Sequence, residues 1–370
     1  MVLTRVIARL EPGGSQLGIL RLIKPLQRRG IRTVVLAGEA TPDGVRLFSE
    51  AGISLEVWGG EAGMQYACSR GFVEWLRPRL AGADLVHGHM FGAWWAAAEA
   101  LDQRGVLVAS EHNALQWPEA PRLVEMREAL RRVEAFFAHG PATRAVLRRL
   151  GFPVSRIHAG RSPIDLPERI SRGPRNGARR TILFAGRLHW EKGPDLLIDS
   201  FPLLRVPARC TLLGVGPEEA ALRRRISELG LDGLVELPGW RQSVGEWIDS
   251  ADVLVVPSRY ESWSQAAVTA MGHGLPVVAT NIEGLPGTLA DGRGVLVPTE
   301  DPRALARAID DVLTGARRPD IAGARRYAER FTAERVAHEY AGVYLRVLGT
   351  GVGGSVERDH ALRSPQRRAA

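Results

Sequence analysis

The chain has 370 residues, 45% of them hydrophobic and 24% charged, which is enough for two domains of ordinary size and excludes a disordered or fibrous protein. Forty-nine basic residues against 41 acidic ones leave a net charge of +8; among the basic residues only Lys24 and Lys192 are lysine and the other 47 are arginine. Two cysteines far apart in sequence, Cys68 and Cys210, exclude a disulfide framework, and no Cys/His set has zinc spacing.

The opening stretch MVLTRVIARLEPGGSQLGIL is interrupted by Arg5, Arg9 and Glu11. It therefore reads as neither a signal peptide nor a spanning helix, and no later run reaches about 18 apolar residues. A cytoplasmic location is expected, with at most a weak peripheral membrane contact. Short β-branched runs alternate with helical patterns along the whole chain, the grammar of βα units around parallel sheets covered on both faces. In the first half, strands are expected over Arg5–Leu10, Arg32–Ala37, Leu85–Gly88 and Val106–Glu111; in the second, over 181–186, 210–214, 234–237, 252–258, 275–280 and 294–297. Two doubly wound domains follow: 1–165, a linker at 166–180 rich in Pro, Gly and Arg, and 181–331. A last helix at 332–348 and a tail at 349–370 complete the chain.

Doubly wound sheets bind ligands at the carboxyl ends of their strands, so the residues just past each strand are the candidates. After the first strand, Gly13-Gly14-Ser15 opens a helix whose amides are available to an anion. Leu85-Val86-His87-Gly88-His89 brings His89 to another strand end, where it either touches a substrate or is satisfied by a neighbouring carbonyl. Trp94-Trp95 begins an apolar helix and at least one belongs to the core. The region Arg127–Arg149, read as a basic helix, presents Arg131, Arg132, Arg148 and Arg149; a solvated face is the plainer reading and an anionic membrane surface the sharper one.

In the second half, FAGRLHWEKGPDLL (184–197) places Arg187 and Lys192 five apart in one turn. A planar guanidinium and a compact ammonium suit a diphosphate, although an isolated pair of this kind more often makes a surface ion pair with Glu191. Gly214 and Gly216 in LLGVGPEE lack the third glycine of a dinucleotide fingerprint and suit a tight turn with close backbone approach. Trp240 either flanks a base or packs under a loop. In PSRYESWSQAAVTAMGHGLPVVAT (257–280), Glu261 lies just past a strand, and the amides near Ser264, Gln265 and Ala266 open a helix toward any anion there.

Together GRLHWEKG, GVGP, ADVLVVPSRYES, AMGHGLPVVAT and GVLVP, with the looser GGSQ, DLVHGH and SEHN, resemble the retaining glycosyltransferases of family 4, the group 1 glycosyltransferases. The resemblance runs from about Gly13 to Leu348 and implies the GT-B fold: α/β, two facing Rossmann-like domains, an interdomain cleft, and a last helix that crosses back. It implies a nucleotide-sugar donor, most simply a UDP-sugar, and a hydroxyl acceptor. Arg187 and Lys192 would hold the donor diphosphate, Gly13-Gly14 would close over it, Glu261 and His89 would bind the sugar, Ser264, Gln265 and Ala266 the phosphate and sugar, and residues near Gly239-Trp240 the base. No metal, no other cofactor and no nucleic acid is expected.

Two positions depart from the family pattern. RSPID (161–165) stands where an Asn-Gly-Val-Asp-like turn is usual, and Thr269 stands where a second glutamate grips the ribose, offering a shorter, neutral acceptor. Nucleotide identity is thereby open. A non-catalytic or partner-dependent relative, or an epimerase or phosphorylase on the same fold, remains an alternative, and the acceptor is either a cell-envelope or lipid-linked glycan or a small natural product such as an aminoglycoside.

Overall fold

A computed structural model describes residues 1–112, 120–170 and 179–351 of the chain. Much of the expected linker, nearly all of the expected tail and Asn113 of the SEHN motif lie outside the described residues. The chain divides into two compact units: Met1–Gly160 with the chain from Ala337 onward, and Arg161–Val336.

The first unit runs β1 (Val2–Leu10), α1 (Gly14–Arg28), β2 (Arg32–Ala40), α2 (Pro42–Glu50), β3 (Ser54–Val57), α3 (Arg70–Leu80), β4 (Leu85–His89), α4 (Phe91–Ala100), β5 (Val106–Glu111), α5 (Ala120–Leu130), β6 (Val133–Ala138), α6 (Pro141–Arg149) and β7 (Ile157–Ala159). All seven strands are parallel in the order β3-β2-β1-β4-β5-β6-β7. One face of the sheet buries Phe72, Phe91, Trp94 and Phe136, and a second cluster gathers Ile7, Leu10, Phe48 and Ile53. Helix α4, FGAWWAAAEA, has almost no polar face and is buried nearly all round, with both Trp94 and Trp95 in the core.

The segment read from sequence as one basic helix over Arg127–Arg149 is instead the end of α5, the strand β6 and the helix α6. Val133-Glu134-Ala135-Phe136-Phe137-Ala138 is an apolar run with only Glu134 half-exposed, and it buries between β5 and β7. Tertiary burial outweighs the helical bias of the arginine-rich flanks. Of those arginines, Arg131 pairs with Glu128 at 2.5 Å and Arg132 donates to the carbonyls of Leu101 and Asp102 at 3.2 and 2.6 Å.

The second unit runs β8 (Arg180–Ala185), α7 (Pro194–Ser200), β9 (Ala208–Leu213), α8 (Glu219–Glu228), β10 (Val235–Gly239), α9 (Gly245–Ser250), β11 (Val253–Val256), α10 (Gln265–Gly272), β12 (Val277–Thr280), α11 (Leu285–Leu289), β13 (Val295–Val297), α12 (Pro302–Thr314) and α13 (Ile321–Ala328). Its six strands are again all parallel, in the order β10-β9-β8-β11-β12-β13. RSPID is gathered with this unit: Ile164 bridges Thr332, and the Pro163 carbonyl accepts from Gln265 Nε2 at 3.1 Å.

The last helix, α14 (Ala333–Gly351), belongs from Ala337 onward to the first unit. Its Tyr344 hydroxyl lies 2.7 Å from His87 Nδ1, and the Tyr340 ring stacks on Phe137 with centroids 3.9 Å apart. In each sheet the strand order reverses once, between β1 and β4 and between β8 and β11. Those two switch points are where an open α/β sheet splays its loops apart and admits a ligand.

Candidate active site

In the second unit the loops after β8 and β11 flank the switch point, and each is tied to its neighbours by main-chain contacts. The Leu188 amide donates to Val215 O at 2.9 Å, and those of Arg259 and Tyr260 both donate to Glu191 O at 2.8 and 3.1 Å. Gly214 and Gly216 are needed for the first of these contacts, as their spacing predicts. A Cβ on Gly214 would overlap the Gly186 carbonyl oxygen, and one on Gly216 that of Leu188.

Lys192 and Glu261 meet across the two loops, Nζ to Oε2 at 2.9 Å, with only 25% and 11% of their side chains exposed. Arg187 pairs with Glu191 at 3.2 Å, both about two-fifths exposed, which is the plainer alternative read from sequence. Arg259, which sequence reasoning passed over, braces the same loops. It is 9% exposed, forks onto Asp195 at 2.8 and 2.7 Å, reaches Glu300 at 2.5 Å, and donates to Trp190 O. The hydrogen bonds it donates to those carboxylates, to Asp195 foremost, raise its pKa further above an already high value. Its donors are taken by protein groups, so its part is to hold the loop.

Helix α10 begins at the same edge. The Ser264 hydroxyl accepts from the Ala267 amide at 3.3 Å, closing one of the orphan donors of the first turn, and the amides of Gln265 and Ala266 have no intrahelical acceptor. Gln265 spends its side chain on Pro163 O. Thr269, 8% exposed, turns its hydroxyl onto the Gln265 carbonyl at 2.8 Å. Trp240 is half-buried beyond β10, where Gly239 O accepts from the Gly214 amide at 3.1 Å.

Glu283, after β12, is a second residue that sequence reasoning missed. Its φ of 41° is in the left-handed region, and its Oε2 is buried without a hydrogen-bond partner. Burial pushes its carboxyl above the usual range, with repulsion from Glu261 adding to this, while Lys192 and the Glu261 amide act against the shift. No sequence signal marks it, since the left-handed position carries glutamate rather than glycine.

In the first unit Gly13 caps α1 without a side-chain bond, and Gly14 is the first helical residue. His89 is 4% exposed, and both ring nitrogens face protein: Nε2 lies 2.8 Å from Arg5 Nη1, and Nδ1 lies 3.3 Å from His112 Nε2. Its partners are side chains, not the carbonyl that the plainer sequence reading supposed. Arg5, fully buried, has no carboxylate partner among the described residues, and its Nε and Nη2 are unpaired. Burial first, with like-charge repulsion from Arg5 adding to it, pushes His87 and His89 well below the usual imidazole range and His112 to about 4.

No helix among the described residues is long and apolar enough to cross a membrane. A family model described as Glycosyltransferase Family 4 matches residues 12–167, and one described as Glycosyl transferases group 1 matches residues 179–315. The D-inositol 3-phosphate glycosyltransferase of Xylanimonas cellulosilytica is 30% identical over 299 residues, spanning 71% of this chain and 72% of that protein. The protein of the same name from Jonesia denitrificans is 35% identical over 180 residues; that match spans 45% of this chain and 42% of the relative, less than half its length. Among solved structures, Anabaena HepE in complex with UDP-glucose superposes with a TM-score of 0.77 at 20% identity, over 94% of this chain and all of that one. The sucrose-phosphate synthase of Thermosynechococcus elongatus gives 0.74 at 20% identity, over 95% of this chain and all of that one. At such identities the likeness speaks for the fold alone. Two family models in register with two parallel sheets, and one relative at 30% identity matched across most of its length, place the chain among the family 4, group 1 glycosyltransferases of GT-B fold.

Proposed function

We propose that this glycosyltransferase moves a sugar from a UDP-sugar to a hydroxyl acceptor with retention of configuration, Arg187 and Lys192 supplying the charge stabilisation that a divalent metal supplies elsewhere. The observation that carries the reading is the convergence of Lys192, Glu261 and the start of α10 at the β8/β11 switch point, with Arg187 in the same loop. That Anabaena HepE is solved with UDP-glucose supports the donor class.

As the glycosidic C–O bond breaks, negative charge gathers on the departing diphosphate and positive charge on the sugar ring. Donors already fixed around the phosphates lower that barrier. Lys192 is held in place by Glu261, and Arg187 is held only by an exposed pair of the kind worth about 0–1 kcal/mol. Turning Arg187 from Glu191 to a phosphate thus costs little beside the roughly 1.5–3 kcal/mol of a charge-assisted hydrogen bond. The amides of Gln265 and Ala266 take phosphate oxygens, and Glu261 accepts from sugar hydroxyls. The acceptor oxygen bonds to the anomeric carbon from the leaving-group face, and its proton passes to a phosphate oxygen of the departing UDP, so no protein base is required.

The test is a UDP-release assay over UDP-, GDP-, ADP- and TDP-sugars, with and without polyol, inositol phosphate, aminoglycoside and lipid-linked acceptors, and with a chelator arm. UDP-sugar turnover that survives chelation, with the anomeric configuration retained by NMR, is expected. Silence with every donor would overturn the reading, and loss of rate on chelation would overturn its metal-independent part.

A further inference from the structure

Trp190 is the one aromatic side chain among the large apolar groups exposed on the described residues, with 49% of its surface open to solvent. It stands on the turn between β8 and α7, outside the core of its sheet. A surface indole is ordinarily free to turn, but this one is held. The Arg259 guanidinium lies 5.4 Å from its ring centroid. All five N–H donors of that arginine are committed: Nη1 and Nη2 fork onto Asp195, Nε and Nη2 reach Glu300, and Nη1 also donates to Trp190 O at 2.9 Å. The cation is thus a fixed floor under the indole. Glu300 reaches it from left-handed backbone, φ 57°, a conformation that costs a non-glycine residue free energy.

The Tyr260 ring lies 5.7 Å from that of Trp190 and is inclined to it by 50°. Among the described residues neither the Trp190 Nε1–H nor the Tyr260 hydroxyl makes a hydrogen bond. Asp195 and Glu300, 41% and 55% exposed, keep lone pairs beyond those that Arg259 takes. All these residues belong to the second unit. Tyr260 directly precedes Glu261, and its carbonyl accepts from Lys192 Nζ at 3.5 Å, so the aromatic pair adjoins the Lys192–Glu261 contact without using it. A pyranose ring complements each part. Its axial C–H groups form an apolar face that rests on the negative face of an indole, and its equatorial hydroxyls meet carboxylates and aromatic N–H or O–H groups at the rim. Exposed carboxylates on that rim disfavour an anionic occupant.

We propose that Trp190 and Tyr260 form a stacking platform for a sugar ring of the acceptor, with Asp195 and Glu300 accepting from its hydroxyls, so that the acceptor is itself a glycoside. The proposal rests on the proposed transfer only in giving that ring to the acceptor; the platform stands without it.

The test is saturation-transfer difference NMR on the full-length protein, with methyl β-D-glucopyranoside as the probe. Saturation is expected to reach the C–H protons of one ring face in the wild type and in Trp190→Phe, which keeps an aromatic face. It should be lost in Trp190→Ala and in Trp190→Leu, which stays apolar without a π face; circular dichroism verifies that each variant is folded. No transfer in the wild type, or equal transfer in wild type and Trp190→Leu, would overturn the platform whatever the enzyme's activity. Adding UDP or UDP-glucose should leave the signal in place. Its loss with either would give the platform to the donor and overturn the acceptor assignment, whereas failure of both to bind by calorimetry counts against the proposed donor instead. With a glycoside acceptor that is turned over, Trp190→Leu should raise the acceptor KM about tenfold; an unchanged acceptor KM would overturn the assignment.

Discussion

Lys192 Nζ and Glu261 Oε2 lie 2.9 Å apart although 69 residues separate them in sequence, and neither side chain is more than a quarter exposed. In a chain with only two lysines, this one is seated between two strand-end loops. The other, Lys24, is exposed on α1.

If the pair orders a cation for the departing diphosphate, Lys192→Ala and Arg187→Ala should each lower kcat by on the order of 100-fold or more. Thermal midpoints should move little for Arg187→Ala, whose ion pair is exposed. Steady-state kinetics beside a melting curve checks both, and a kcat within a few-fold of wild type would remove that residue from the leaving-group role.

Thr269 donates its hydroxyl to the Gln265 carbonyl at 2.8 Å inside its own helix. A group so engaged contributes little to a ribose, and Thr269→Ala should leave the Kd for UDP within about threefold, less than the roughly 1 kcal/mol of one neutral hydrogen bond. Titration calorimetry measures this directly, and a tenfold loss would return the residue to the nucleotide site.

Glu283 holds a left-handed φ of 41° and a buried carboxylate oxygen without a partner. Left-handed backbone costs a non-glycine residue roughly 1–2 kcal/mol, and glycine's greater unfolded-state entropy offsets part of the relief. Glu283→Gly should therefore stabilise the fold by about 1 kcal/mol, read as a higher urea midpoint at unchanged m. A lower midpoint would show that the carboxylate makes a net favourable contact.

The buried histidines set the acid limit of stability. In the fold His87, His89 and His112 resist protonation, His112 down to about 4, whereas in the unfolded chain each takes a proton near pH 6.5. Between those values the unfolded state binds more protons, so stability is intact above about pH 6.5 and falls as pH drops toward 4, by up to about 1.4 kcal/mol per pH unit for each such histidine. Urea midpoints from pH 7.5 to 4.5 should show this slope, and His112→Gln should flatten it; a pH-independent midpoint over that range would contradict the buried neutral cluster.

The sequence was most legible where each element announces itself. All six strands of the second sheet fall where their β-branched runs lie, and Gly214 and Gly216 mark the close approach they allow. In the first sheet three strands escaped. β3 alternates exposed with half-buried residues and β7 has three residues, both at sheet edges. β6 is hidden between arginine-rich helices that impose a helical rhythm on it. The candidate site divides likewise: Lys192 and Glu261 stand in recognisable turns, whereas the Arg5–His89 contact joins residues 84 apart and depends on strand register, Ile7 opposite His89. Nothing local in the sequence carries that register.

Because every described strand runs parallel within its sheet, all the candidate site residues among the described residues lie at or past the carboxyl ends of the strands, and none lies in the loops at the opposite ends. Gly82, between α3 and β4, and Gly230, between α8 and β10, would meet nothing within 4 Å if given a Cβ. Such turns are natural places to open or lengthen the chain: affinity tags, fluorophores or new termini from circular permutation can be grafted there to report on catalysis without entering it.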